Sequence, residues 1–318
     1  MSVLPDSLRS RRQLLAKLAF HAPDQSTWSL DAARAYTREL TRTHYENFTV
    51  ASWLLPRRYR QPLADLYAYC RWADDLADEA EDATLSLQWL AWWQHSLDEC
   101  WAGRTAHPVF IALDATRRDF DLPRAPFDDL LAAFRRDQVQ TRYRSWDEVL
   151  DYCRGSANPV GRLVLSLAGA RSDAHDRWSD NLCSGLQIAN FCQDVARDAA
   201  RGRIYLPRDT WTRVGCSERD FLKGVVTDRL RDAVAAGCLQ ASDLLEAGRP
   251  LLSHVPRWLR YDLELFLAGG HAVLRAIREQ RYDVWSQRPT IGRWAKMRLA
   301  ARAAWAGVQR VLSESIGS

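Results

Sequence analysis

Apolar residues recur three and four positions apart along almost the whole of this chain, in 34–45, 59–80, 84–101, 127–138, 147–169, 177–200, 217–247, 254–280 and 291–313. That spacing lines one stripe of a helix; a half-buried strand would need alternation at every second residue. No alternating run of useful length interrupts the pattern. Turn signals separate the segments: "GRTAHP", "DLPRAP", "RGRIYLPRD", "EAGRP" and "QRPTIG". None is long enough to be a linker, and no internal repeat is present. The expectation is an all-α protein, a single helical domain over 31–318 behind an N-terminal extension over 1–30.

Composition narrows the function classes. The formal charge of +4 is small for 318 residues, and arginine is spread without a basic block, which argues against a nucleic-acid partner. The seven cysteines contain no CxxC pair or Cys/His cluster, as expected of reduced thiols in a cytoplasm. No apolar run approaches the length needed to span a bilayer. The first residues, "MSVLPDSLRSRRQLLAKLAF", lack a signal peptide's apolar core and fit a short amphipathic helix better.

Two polar ladders break the amphipathic pattern. The stretch Asp74 to Asp82 holds six acids in nine residues. Acids near a helix C-terminus repel one another and oppose its partial negative charge, so the crowding asks for a reason. On a helix, Tyr67, Arg71, Asp74 and Asp78 fall within a stripe about 60° wide. Two carboxylates one turn apart suit magnesium, which takes oxygen ligands, keeps several waters and bridges to phosphate oxygens. A solvated acidic face is the plainer alternative for this motif taken alone. The second ladder, in "SGLQIANFCQDVARDAARGRIYLP", sets Gln187, Asn190, Asp194 and Asp198 within about 80°, with Leu186, Ile188, Phe191 and Val195 around them. It repeats the i, i+4 aspartate spacing 120 residues further on. Such stripes facing each other across a bundle would hold a metal–diphosphate cluster.

"YAYCRWADDLAD", and "LQIANFCQDVARD" followed by "GRIYLP", resemble the squalene/phytoene synthase family, over most of the chain from about His44 to Pro289. "HYENFTVASWLLPRRYR", "YCRGSANPVGRLVL" and "RYDVWSQRP" are similar to its bacterial hydroxysqualene synthases of hopanoid pathways. The resemblance implies an isoprenoid-synthase helical bundle with a central cavity. It also implies magnesium at Asp74, Asp78, Asp194 and Asp198, and catalytic or diphosphate contacts at Tyr67, Arg71, Gln187 and Asn190. Tyr152 matches a tyrosine near the reacting centre, and Tyr282 one near the diphosphate. Two departures stand out: Gln193 removes a cation common in relatives beside the second motif, and Arg197 replaces an acid. Together they point to one diphosphate handled, not two.

The implied substrate is presqualene diphosphate, ionised with magnesium, rearranged and captured by water to give hydroxysqualene without a hydride donor. Two alternatives stay open: condensation of two farnesyl diphosphates, and a non-catalytic assembly factor of the same fold. An allylic or cyclopropylcarbinyl cation would need aromatic faces, and Phe48, Tyr67, Tyr69, Trp72 and Phe191 lie near the motifs in sequence. His44 either orients the diphosphate or the quenching water with Glu46, or fixes a loop. Arg203, with Arg201 and Tyr205, either closes over the diphosphate or caps a helix. Pro159 is expected to kink a helix, with Gly155 and Gly161 admitting a close neighbour. Trp89, Trp92, Trp93 and Trp101 share one amphipathic helix, mostly as packing. A thirty-carbon substrate also suggests peripheral contact with the inner face of a membrane, and functional coupling to a presqualene diphosphate synthase. The basic C-terminal "RWAKMRLAARAAWAGVQRVL" would suit such a surface or pack on the bundle.

Overall fold

The computed structural model describes residues 28–44 (43 and 44 as backbone only) and 55–290. Among these residues there is no strand, and extended backbone pairs only at an isolated bridge between Arg142 and Ile204. The all-α expectation holds. The N-terminal stretch 1–27, Glu46, Asn47, Phe48 and the segment 291–313 lie outside the described residues, as does the side chain of His44.

The chain divides into two compact units, Met1–Asn47 with Arg57–Val139, and Phe48–Pro56 with Gln140–Ser318. In the first unit run α1 (Leu30–His44), α2 (Arg57–Asp78), α3 (Ala83–Trp101), α4 (Pro108–Asp119) and α5 (Ala125–Asp137). Its core forms around one face of α2. Trp72 stacks on Trp93 of α3 at 5.5 Å, and Tyr69 meets Phe127 of α5 edge-on at 5.1 Å. Burying rings of this size dominates the packing energy. Two of the α2 rings also have their polar atoms satisfied: Tyr69 Oη donates to the Phe127 carbonyl at 3.0 Å and Trp72 Nε1 to Tyr36 Oη at 3.0 Å. Tyr69 and Trp72 therefore belong to the core and do not line a site, which corrects their place among the cation-facing aromatics. Trp93 is fully buried and Trp92 is exposed on the outer side of the same helix.

The helix α4 is not among the periodic segments read from sequence. It occupies the interval between the "GRTAHP" and "DLPRAP" turns, starting at Pro108 in the first turn, where the missing N–H costs nothing.

The second unit holds α6 (Trp146–Ser156), α7 (Asn158–Leu167), α8 (Asp173–Ala200), the short α9 (Arg208–Arg213) and α10 (Glu218–Lys223), α11 (Asp228–Gly248), a 3₁₀ turn (Arg249–Ser253) and α12 (Arg257–Glu279). The 28-residue α8 is its axis, started by Ser172, whose hydroxyl accepts from the His175 amide at 3.2 Å. It lies against α11 at unusually close range. A Cβ on Gly185 would stand 3.0 Å from the Leu245 amide and 3.1 Å from the Ala241 carbonyl, so any larger residue there would push the two backbones apart. Gly161 likewise lets α7 approach α8: a Cβ there would meet Ser179 Oγ at 2.3 Å.

Two continuous segments read from periodicity are broken. The 147–169 segment ends at Ser156 and restarts at Asn158, so Pro159 sits in a new first turn and does not kink one helix. The 217–247 segment is split by Gly224, at φ 65°, ahead of the Thr227 cap of α11.

Candidate active site

The six acids of Asp74–Asp82 have separate duties in the first unit. Helix α2 ends at Asp78, so the last acids do not burden its C-terminus. Asp82 caps α3, accepting from the Leu85 amide at 2.8 Å. Asp75 is buried and accepts from Arg71 Nη2 at 2.5 Å. Asp74 and Asp78 remain on the stripe with Tyr67 and Arg71, and none of the four belongs to the buried face.

Arg71 is thus held on its own helix, with Nη1 3.5 Å from Asp74. Burial, and then the negative charge of Asp78, push the Asp74 carboxyl up to about 6 against the pull of Arg71. Asp75 and Asp137 raise it further. Asp137, the last residue of α5, is an acid that sequence reading did not connect to this pair. Burial also raises the Tyr67 hydroxyl.

In the second unit the stripe of α8 is equally well formed. Gln187, Asn190, Asp194 and Asp198 stay accessible while Ile188, Phe191 and Val195 are buried. Burial, with Asp194 one turn away, pushes the Asp198 carboxyl up to about 7, against Arg203, Arg201 and Arg197. Arg203 is brought to the pair by the turn after α8, where its amide donates to the Asp198 carbonyl at 2.8 Å and Gly202 takes φ 75°.

Asp194 is gripped by a residue that sequence reading missed. Arg288 Nε and Nη2 reach its two oxygens at 2.6 and 2.9 Å. Buried Gln193 fixes that arginine, accepting from Nη2 at 3.1 Å and donating to the Pro289 carbonyl at 2.6 Å. A cation thus stands beside the second motif although position 193 itself carries none.

The remaining candidates separate. Tyr152 is buried in an aromatic cluster, 6.1 Å from Phe191 and 5.7 Å from Tyr205, with Phe191 and Tyr205 stacked at 3.9 Å. That places it directly behind the stripe of α8. Tyr282, at φ 60°, lines a groove between α11 and α12 with Cys238, Glu246 and His271, a groove to which no ladder residue contributes.

Among the described residues no three His, Cys, Asp or Glu side chains converge on a single metal position. Pairs of carboxylates, each with one member pushed toward neutral pH by burial and its partner, fit a cation that keeps waters and takes phosphate oxygens. They do not fit a closed protein cage. The residues present suit magnesium with a diphosphate.

The sequence matches the squalene/phytoene synthase family over residues 41–295. A hydroxysqualene synthase of Rhodopseudomonas palustris is 36% identical over 71% of this chain and 77% of its own length. A phytoene synthase of Arthrospira platensis is 30% identical over 82% of this chain and 88% of its own length. The crystal structure of a squalene synthase from Alicyclobacillus acidocaldarius superposes with a TM-score of 0.77 at 41% identity, over 81% of this chain and 98% of that one. The fold and the paired aspartate helices define an isoprenoid synthase that uses prenyl diphosphates. The chain belongs to the squalene/phytoene synthase family.

Proposed function

We propose that this protein ionises presqualene diphosphate and captures the rearranged cation with water, releasing hydroxysqualene and diphosphate. The observation that carries the reading is the repeated device of α2 and α8: an i, i+4 aspartate pair with an arginine fixed beside it. Similarity to hydroxysqualene synthases supports the choice of substrate. Magnesium, when bound by Asp74, Asp78, Asp194 and Asp198, neutralises diphosphate oxygens and improves the leaving group.

The chain's own side chains then have distinct tasks. Arg71, oriented by Asp75, presents fixed donors to the charge that develops as the carbon–oxygen bond breaks. Asn190, at the exposed centre of its stripe, and Gln187 offer amide donors to the same group. Arg203 holds positive charge at Asp198. The buried Tyr152, Phe191 and Tyr205 rings back the α8 stripe and help to exclude stray water from it. His44 and Tyr282 are assigned to the diphosphate by family pattern alone. The same reading places the protein inside the cell at the membrane's inner face, receiving substrate from a presqualene diphosphate synthase. No helix among the described residues is long and apolar enough to cross a membrane.

Relatives that make phytoene favour a second reading, condensation of two prenyl diphosphates. Supplying presqualene diphosphate and farnesyl diphosphate separately, with magnesium and no NADPH, decides between them. Hydroxysqualene from the first substrate alone is expected. Turnover of farnesyl diphosphate alone would replace this reading with condensation.

A further inference from the structure

The first unit carries a polar cleft remote from Asp74 and Asp78. It measures about 610 Å³ and lies between α1, the start of α2 and the end of α4, with Arg34, Arg38 and Arg58 on its walls beside Asp31 and Asp119. Arg58 precedes Asp74 by sixteen residues on one helix, roughly 24 Å at the helical rise. The cleft is not an extension of the carboxylate stripe.

Its chemistry is that of an anion site. The three guanidiniums share a single ion pair, Arg34 Nη2 to the largely exposed Asp119 at 3.7 Å. Arg38 donates to the Gln61 side-chain carbonyl, and Arg58 lies over the rings of Tyr59 and Phe120 at 5.4 and 5.5 Å, so neither is neutralised by a carboxylate. Among the described residues nothing accepts a hydrogen bond from the buried Arg34 Nε. Helix α2 opens with Arg57, Arg58 and Arg60 and no acid in its first turn, adding positive charge to a terminus that is already positive.

The wall is also organised from beneath. Asp65, fully buried, accepts from Thr37 Oγ1 at 2.6 Å, Thr116 Oγ1 at 2.7 Å and Gln61 Nε2 at 2.7 Å. Those bonds set the Gln61 amide so that its oxygen faces Arg38. The guanidinium is thereby held at the cleft by a chain of bonds rooted in the core.

We propose that this cleft binds a small phosphate-bearing oxyanion, phosphate or diphosphate, without a metal. Three forked guanidiniums outnumber the two carboxylates of the cleft, of which only Asp119 is in ion-pair range of one of them, and the surplus donors match a multiply charged oxyanion. The chain's own first 27 residues are unsuited to it, since Arg9, Arg11, Arg12 and Lys17 outnumber Asp6 and Asp24.

Isothermal titration of the full chain with inorganic phosphate and with inorganic diphosphate, in EDTA, tests the site. EDTA removes the metal on which diphosphate binding at the aspartates depends, so the result stands apart from the proposed catalysis. One equivalent of either anion should bind, the affinity ratio reporting the ligand's size. Arg38→Gln and Arg58→Gln should each weaken binding about tenfold. Asp119→Asn, which removes the competing acid, should tighten it several-fold, a gain that misfolding cannot imitate. The double variant Asp74→Asn with Asp194→Asn should bind as the parent does. No heat in EDTA, or affinity indifferent to the arginine and Asp119 variants, would overturn the proposal.

Discussion

The carboxylate pair of α2 and that of α8 share a spacing, but each recruits its cation differently. On α2 the arginine comes from the same helix, one turn before Asp74, and is anchored by a buried acid at i+4. On α8 the local Arg197 reaches Asp194 only at 3.7 Å, and the forked contact comes from Arg288, ninety-four residues beyond Asp194 and anchored by a buried amide. The first arrangement is secured by helix geometry and exists wherever α2 is folded. The second exists only when the segment after α12 is docked. One device is local and tied to stability, the other non-local and separable from it.

The largest expected effect tests what the two have in common. Asp74→Asn and Asp194→Asn should each lower kcat by roughly 10²–10³-fold, read from steady-state turnover of the diphosphate substrate. A loss at one pair only would show that the two pairs do not perform the same task.

Next come the arginines, where the pairs should part. Arg71→Gln takes the guanidinium away from the buried Asp75 carboxylate, so it should lose activity and about 2 kcal/mol of stability in urea unfolding, allowing for the partial exposure of Arg71. Arg288→Gln should reduce turnover by about tenfold while changing stability by less than about 1 kcal/mol, because its pair with Asp194 is open to solvent. Equal destabilisation by both would erase the distinction.

A smaller effect concerns pH. Asp74 and Asp198 have folded-state values raised to about 6 and about 7. Each carboxylic acid is therefore favoured by folding in its protonated form. The resulting penalty is absent below the ordinary value of 3.8, grows as pH rises from there toward the folded-state values, and is complete above about 7. Magnesium relieves that penalty, so its stabilisation in a thermal melt should be clearly greater at pH 8 than at pH 5. A shift of equal size at both would mean that magnesium is held elsewhere. Smallest of all, Asp82→Ala should cost about 1 kcal/mol through the lost cap of α3 and leave turnover intact.

Helical periodicity makes both aspartate stripes legible in the sequence, because each lies within one continuous helix and needs only the angle per residue. The same angle turns Tyr69 and Trp72 away from Tyr67, and grouping them with the site by nearness in sequence ignored it. Arg288 was not legible. Arginine is common in this chain, and a pairing across ninety-four residues leaves no local pattern. Gln193 showed the same limit, since nothing local to it points to the arginine that its amide oxygen holds. The break before Pro159 and the split at Gly224 were signalled by residues that end helices, while the apolar spacing on either side suggested continuity.

The glycine crossing between α8 and α11 has a practical corollary for anyone redesigning this enzyme. At Gly185 the two backbones all but touch, so α8 has no room to roll or slide, and its aspartates inherit their aim from a seam several turns upstream. Libraries aimed at new products should leave that seam untouched. A single methyl placed in that seam would spoil the aim while every catalytic side chain remained in the sequence.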